Sequence, residues 1–598
     1  MKDFIKMTLA CLTGLLLLGF ISTFLFVTTI GAVAALGDKQ PQMPSSAVLY
    51  LDMSTIMLTE QTQEPDPLSI LQGDGTEVQP LGIYSAIRTI NTAAEDPAVK
   101  FIYMKPDGVM GGLAQIEELR TALVNFRSSG KAIISYMETP TNAGYYLASV
   151  SDKIYMTSHD GGTNLLTGVS SQMIFLKDLL DRIGVNVQLI RHGKYKSAGE
   201  MFIRETPSKE NLEQNEAMIQ SIWENWAGKI AESREIDLTE LNAMLNNLEL
   251  NFPEDFLEKG LVDGLVTYEQ MRQKVADLYG VFSPKDVESV SLYDYALIRE
   301  PINLNPAAKV AVIYIDGDIV DGKDAQQQVV AGDRFAKIIS DVRNDDMVKA
   351  AVLRVNSPGG SVLASEKIKA EIALLKEKIP VVASYSNYAA SGGYWISAGC
   401  DKIYTNATTL TGSIGVFSMI PDFSKTLDDR LHVGITPVNS NRHSDMYGMM
   451  RPLTDKEVAY MQASVEKIYG KFTGLVAEGR NMTVEQVDEI AQGRVWTGSE
   501  ACDLGLADHI GTIEDAISDA VYMAIHSAEL DDISQVSIVG YPKPLTSIEL
   551  LMESLGGTQE QNILSDTPFS AVGEAFRNWT SAQSGKVYAR MPYEYVIR

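Results

Sequence analysis

The stretch AAVLRVNSPGGSVLASEKIKAEIALLKEKIPVVASYSNYAASGGYWIS, residues 350–397, sets the architecture. AAVLRV (Ala350–Val355) is a short run, apolar but for Arg354, that reads as a buried strand. The turn SPGGS (Ser357–Ser361) follows, and SVLASEKIKAEIALLKEK (Ser361–Lys378) carries apolar residues at helical spacing. PVVASY (Pro380–Tyr385) is another buried strand, and NYAASGGYW (Asn387–Trp395) is a second glycine-bearing turn that opens another helix. Outward from this block, VAVIYID (Val310–Asp316) reads as a strand and GDRFAKIISDVRND (Gly332–Asp345) as an amphipathic helix, while DKIYTN (Asp401–Asn406) returns to a strand. The βαβα order predicts an α/β layered fold with largely parallel pairing.

The same pattern occurs twice. Val99-Lys100 recurs as Val348-Lys349, Ser135-Tyr136 as Ser384-Tyr385, and Asp152-Lys153-Ile154-Tyr155 as Asp401-Lys402-Ile403-Tyr404, each pair offset by 249. Beyond that gap-free block the offset drifts but the resemblance persists, as in Leu166-Thr167-Gly168 against Leu410-Thr411-Gly412. A tandem duplication follows: an N-terminal half at 47–300, a C-terminal half at 301–545 joined near Pro301–Pro306, and a tail at 546–598.

Composition narrows the function. The 598 residues carry 50 Lys and Arg against 77 Asp and Glu, a net charge of −27, which excludes a nucleic-acid binder that needs a basic stripe. Three cysteines (Cys11, Cys400, Cys502) make no disulfide framework and no CxxC zinc pair. Met7 to Gly37 contains no charged residue over 31 positions, enough to cross a bilayer, with Lys2 and Lys6 ahead of it. The expected layout is a cytoplasmic N-terminus at 1–6, a transmembrane signal anchor at 7–36 and a linker at 37–46, with the body of the chain on the extracytoplasmic side of the cytoplasmic membrane. A cleaved signal peptide, suggested by Ala32 and Ala34, is the rival, but its apolar region is typically about 7–15 residues.

The two copies differ where chemistry is expected. Ser391 stands at a helix start followed by Gly392 and Gly393, with SPGGS one strand earlier. A serine there is either an N-cap or a nucleophile beside backbone amides that form an oxyanion hole. Its counterpart in the first copy is Asn142, and GVMGGL stands near the SPGGS position, so only the second copy can carry this serine. The six histidines show no triad spacing, GxSxG and HExxH are absent, and the SxxK matches at Ser128…Lys131 and Ser464…Lys467 lack supporting motifs. A lysine whose pKa is lowered by burial is the remaining common base.

SPGG, ASGGYWIS and TLTGSIG, with HGKYKSAGEMF (His192–Phe202) and GRVWTGSEACDLGLADHIG (Gly493–Gly511), resemble the signal peptide peptidase A (protease IV) family in its long, duplicated form. The resemblance covers residues 1–540. It implies tandem Clp-protease/crotonase-like α/β domains behind one N-terminal transmembrane helix. It implies Ser391 as nucleophile, Lys196 as general base, Ser413 as the residue that orients the lysine, and the amides of Gly360 and Gly392 as oxyanion hole, with Gly359 the rival of Gly360. It further implies a homotetramer, peptide substrates that are cleaved signal peptides and other unfolded chains, and no metal or organic cofactor. The second copy reads NRHSDMYGMM (Asn441–Met450) where the first has the lysine, so each half supplies one member of the dyad. Lys194 reads as solvated or structural. Gly-Glu-Met-Phe follows YKSA where Val-Glu-Pro-Phe is expected, and the end GKVYARMPYEYVIR (Gly585–Arg598) reads as disordered or packed on a neighbouring subunit. A crotonase-like acyl-CoA enzyme and a non-catalytic membrane scaffold are the rival functions.

Overall fold

Two sheets with the same strand order carry the two halves. In the first the order is Gly264–Val266, Lys153–Thr157, Ile133–Met137, Val99–Lys105, Ala47–Asp52, Ser289–Ser291. In the second, six of the eight strands follow the corresponding order His509–Ile510, Lys402–Thr405, Val381–Ala390, Val348–Ser357, Ala308–Asp316, Val536–Tyr541, with all of these pairings parallel in both halves, while Leu410–Gly412 also pairs with Val381–Ala390 and carries Val495–Thr497 antiparallel. This is a computed structural model, and it describes residues 4, 6–8, 12–21, 43–63, 78–299, 305–323, 329–530, 532–544 and 586–591. The expected strands and helices of residues 310–406 all form, with ends shifted by a few residues. They read as apolar runs because helices cover the second sheet, and Val348–Ser357 is buried at eight of its ten positions.

The halves share a core. The helix Ile513–Ala528 buries Ile513, Ala516, Ile517, Ala520, Val521 and Ala524, the i, i+3, i+4 stripe of an amphipathic helix. That stripe packs in one cluster with Leu49, Ile102 and Leu119 of the first half and Val310 and Val352 of the second. Within this apolar contact lies one ionic knot. Arg354, fully buried, donates to Glu60 Oε2 at 2.6 Å and, bidentately, to both Glu118 oxygens at 2.9 Å. Burial alone would lower the guanidinium's pKa, but the two carboxylates outweigh it and push it up. Glu118 also accepts from Asn406 and from the Ile513 N–H at the start of the shared helix, so its lone pairs are used across the junction.

A third sheet is mixed and is built from both halves. Its order is Val329–Ala331, Asp318–Val320, Gly359–Ser361, Tyr588–Arg590, Val416–Asp422, Asn186–His192. Two expectations change here. SPGGS is more than a turn, because Gly359–Ser361 is a strand that pairs with Asp318–Val320 and with the tail. Within the described tail segment 586–591, Tyr588–Arg590 is a strand of this chain's own sheet. Residues 545–585 and 592–598 lie outside the described residues, as does most of the expected anchor at 7–36. Residues 12–21 are helical, and among the described residues no helix is long and apolar enough to cross a membrane.

The ionic knot predicts a stability effect. Arg354→Leu strands Glu60 and Glu118 in the shared core and should destabilise the protein by about 3–5 kcal/mol. Urea unfolding checks it, and a loss below about 1 kcal/mol would show that the junction does not rely on this contact.

Candidate active site

Ser391 sits between the strand Val381–Ala390 and the short helix Gly392–Ser397, every residue of which is buried. Its backbone is held at φ 54°, ψ −109°, a conformation that costs an L-residue energy and persists only when the surroundings enforce it. The enforcing bonds are the Ser391 N–H to Gly412 O at 2.9 Å and the Trp395 N–H to Ser391 O at 2.8 Å. Although Ser391 occupies the N-cap position, its hydroxyl makes no capping bond among the described residues. The hydroxyl faces a lysine instead.

That lysine comes from the other half. The strand Asn186–His192 pairs antiparallel with Val416–Asp422 over seven residue pairs, from Val416↔His192 to Asp422↔Asn186. The turn after it projects Lys196 into the second half, where Nζ lies 2.9 Å from Ser391 Oγ, 2.9 Å from Ser413 Oγ and 3.1 Å from Ser413 O. All three residues are fully buried. Burial drives the Lys196 pKa well below its ordinary value. A neutral amine has two N–H bonds, which match the two Ser413 oxygens, and one lone pair, which matches the Ser391 hydroxyl. Ser413 takes φ 47° and is pinned by its N–H to Arg494 O at 2.7 Å.

The glycines converge next to the Ser391–Gly392 peptide. A Cβ on Gly392 would lie 3.0 Å from Gly360 N, and one on Gly359 would lie 2.6 Å from Gly392 N. The backbones of Gly360 and Gly392, the pair expected from the motif resemblance to form an oxyanion hole, therefore approach closely. A side chain at Gly360 would meet Ile319 O at 2.0 Å, so the second of the two turn glycines is held by its own neighbouring strand.

The first half keeps the frame without the chemistry. Asn142 Nδ2 donates to Gly168 O at 2.9 Å, and its Oδ1 accepts the Gly168 N–H at 3.0 Å. The position that holds Ser391 in one copy thus staples a loop in the other, while Thr141 caps the helix through the Gly144 N–H. A cavity of about 430 Å³ lined by Gly111, Gly112, Asn142, Trp226 and Tyr388 marks the place.

Several positioning residues carried no signal as such in the sequence. Gly493 has φ 79°, and a Cβ there would stand 2.6 Å from Lys196 Cβ, so the lysine reaches the serine only past a glycine. Arg191 Nη1 donates to Lys196 O at 2.6 Å and pairs with Glu200 Oε1 at 3.1 Å. Glu200 is fully buried and also accepts from the Ser208 N–H and Asn211 Nδ2, which ties the lysine turn to the next helix. The Glu of the Gly-Glu-Met-Phe segment is therefore structural support for the lysine. Lys194 is exposed, with Nζ 5.1 Å from the Tyr195 ring centre, and His192 stacks on Tyr469 at 3.7 Å and pairs with Glu466.

The sequence profile of peptidase family S49 matches residues 125–281 and 373–524, once in each half. The chain belongs to peptidase family S49. Relatives in full length include Protease 4 of Haemophilus influenzae, 30% identical over 91% of this chain and 90% of that protein. The chloroplastic serine protease SPPA of Arabidopsis thaliana is 29% identical over 78% of this chain and 68% of its own length. A putative signal peptide peptidase SppA of Enterococcus faecium is 36% identical over 35% of this chain and 62% of its own. The family makes this chain a serine peptidase.

Keeping an amine neutral and buried opposes folding at neutral pH. The folded pKa lies below the unfolded one, so the cost is absent above about pH 10.4 and grows as pH falls toward the folded value. Each tenfold loss of proton affinity corresponds to about 1.4 kcal/mol. Lys196→Met should therefore melt higher than the parent at pH 7 and match it more closely at pH 10. A variant that melts lower at both pH values would show that the amine's contacts outweigh its burial.

Proposed function

We propose that the chain is a membrane-anchored endopeptidase that works through a Ser391–Lys196 dyad. The observation that carries this reading is the buried Lys196 Nζ at 2.9 Å from Ser391 Oγ, with its other two contacts taken by Ser413. Lys196 takes the hydroxyl proton as Oγ attacks the peptide carbonyl, and the negative charge forming on the carbonyl oxygen is met by the Gly360 and Gly392 N–H groups. The resulting ammonium is held by the two Ser413 oxygens and protonates the departing amine. Water enters, gives its proton to Lys196 and attacks the acyl-enzyme, and the proton returns to Ser391. An acyl-CoA enzyme using only glycine amides has no need of the amine–hydroxyl contact.

In this reading the halves at 47–300 and 301–545 are Clp-protease/crotonase-like units, and one active site needs both. The substrates are cleaved signal peptides and other unfolded apolar chains. Three things support this: the resemblance of the motifs to signal peptide peptidase A, the name of the Enterococcus relative, and the apolar run at 7–36. In the described part of that run Leu15, Leu16, Leu18 and Phe20 are exposed, as residues facing lipid would be. The body then lies on the extracytoplasmic side of the cytoplasmic membrane, as a homotetramer of the kind the family resemblance implies.

Kinetics with a fluorogenic apolar peptide test the dyad. Ser391→Ala, Lys196→Ala and Lys196→Arg should each lower kcat/KM by about 10²–10⁴ or more, because arginine cannot release its proton. Near-parental turnover in any of the three would remove the dyad. Because the neutral amine is the active form, kcat/KM should rise with pH through a midpoint well below that of a free lysine. A flat profile from pH 6 to 9 combined with a rise only near pH 10 would mean the amine is not held neutral.

A further inference from the structure

Between Lys196 and Ser413 runs one short turn that touches both neighbourhoods. Residues 491–494 lead into the strand Val495–Thr497, and the Arg494 N–H closes the turn on Ala491 O at 2.9 Å. On one side the Gln492 carbonyl accepts the Tyr195 N–H at 2.9 Å, and the lysine turn comes so near that a Cβ on Gly193 would stand 2.5 Å from the Gln492 carbonyl carbon. On the other side the Gly493 N–H donates to Ile414 O at 2.8 Å, and Arg494 O accepts the Ser413 N–H at 2.7 Å. A Cβ on Gly415 would lie 2.7 Å from Gly493 Cα and 3.2 Å from Lys196 Cδ, which leaves no slack in the stack. The turn is therefore a spacer between Lys196 and Ser413.

The spacer is held in a shape it would not keep alone. Gln492 has φ 54° and Gly493 φ 79°, two successive left-handed residues, of which only the glycine adopts that region without cost. What holds Gln492 is a tyrosine hydroxyl. Tyr469 Oη accepts the Gln492 backbone N–H at 3.3 Å and the Gln492 Nε2 at 3.2 Å, and it donates to Asp488. Asp488 Oδ1 also accepts from Gln492 Nε2 at 2.7 Å, so three side chains close a triangle of hydrogen bonds beside the turn.

Two helices deliver these groups. Asp455–Arg480 buries Met461, Val465, Tyr469, Phe472 and Val476 along one face, which anchors the tyrosine ring in the core of the second half. The same ring stacks on His192, the last residue of the strand Asn186–His192 that leads to Lys196. Asp488 stands on the helix Val484–Ile490. Both residues bear on Lys196 through the turn.

We propose that Tyr469, Asp488 and Gln492 are positioning residues for the peptidase reaction, whose hydrogen bonds lock the left-handed turn that fixes where Lys196 Nζ stands relative to Ser391 and Ser413. The inference rests on the dyad reading above. The spacer matters because the amine works only within hydrogen-bond reach of the hydroxyl and only while it is kept from water. With the lock released, Gln492 relaxes toward an ordinary φ, the Tyr195 N–H loses its fixed acceptor, and the lysine turn drifts from the serines. The strain at Gln492 gives the lock a signature of its own. Gln492→Gly adopts the same φ freely, so a turn carrying that change no longer needs the hydroxyl.

Kinetics of the full-length protein test it. Tyr469→Phe keeps the ring and its stack on His192 and removes only the hydroxyl. It should lower kcat on a fluorogenic apolar peptide by about tenfold or more with KM little changed, since the lock bears on the base and not on the substrate. It should also move the pH midpoint of kcat/KM upward, because a loosened Lys196 is less thoroughly desolvated and holds its proton more tightly. In a Gln492→Gly background the same change should cost less than about threefold, a non-additivity that mere loss of stability does not produce. If Tyr469→Phe fails to fold, Asp488→Asn, which keeps the size of the side chain and weakens both of its bonds, decides on the same three measures. A folded variant with parental kcat and midpoint, or an equal loss in both backgrounds, would overturn the proposal. Activity that survives Lys196→Ala strikes the dyad reading, whereas Lys196-dependent hydrolysis indifferent to the lock strikes only this one.

Discussion

Everything at the candidate site follows from burying a lysine amine completely. In solvent the Lys196 side chain would be charged and useless as a base; fully buried, with two serines to bond to, it is driven toward the neutral form. That environment has to be assembled from distant chain segments. The antiparallel docking of Asn186–His192 on Val416–Asp422 carries the lysine turn across the junction. Gly493 clears its path, and Arg191 with Glu200 fixes the turn's carbonyl. None of these residues does chemistry, yet each bears on the position of one nitrogen.

The duplication explains how such a site arises without a new fold. Both copies keep the parallel sheet and the short buried helix after its third strand, so either could host a residue at the Ser391 position. One copy strains its backbone there and presents a hydroxyl. The other places Asn142 and uses both ends of the amide to secure the Thr167–Gly168 loop. The shared core and the Arg354 contacts with Glu60 and Glu118 keep the two halves together, which a split active site needs.

The strands of residues 310–406 were legible because a covered parallel strand is written as a short, largely apolar run, a local property of the sequence. The duplication was legible because identical short strings repeat at one offset. Ser391 and Lys196 lie 195 positions apart, and no local pattern relates them; the motif resemblance singled out the pair and the geometry shows its contact. Gly493 and Glu200 stood inside quoted motifs without a role, since close approach and buried support exist only in three dimensions. The tail strand was illegible for another reason. KVYARM carries a lysine and an arginine that suggest solvent, and only pairing with Asp321 and Asp318 lets its alternating Val587, Ala589 and Met591 turn inward.

The slot between Gly359–Ser361 and Val416–Asp422 has a consequence for what the proposed endopeptidase would leave alone. A strand seated there is flanked by backbone on both sides, so a chain entering it must have both edges unpaired. A helix has spent its N–H and C=O groups internally, and a strand in a folded sheet has usually spent at least one edge on a neighbour. For the proposed endopeptidase, a slot of this kind would sort polypeptides by the state of their backbone before any side chain is read. Under the proposed endopeptidase function, folded proteins would have no bare backbone to offer such a slot, a form of discrimination that requires no recognition sequence.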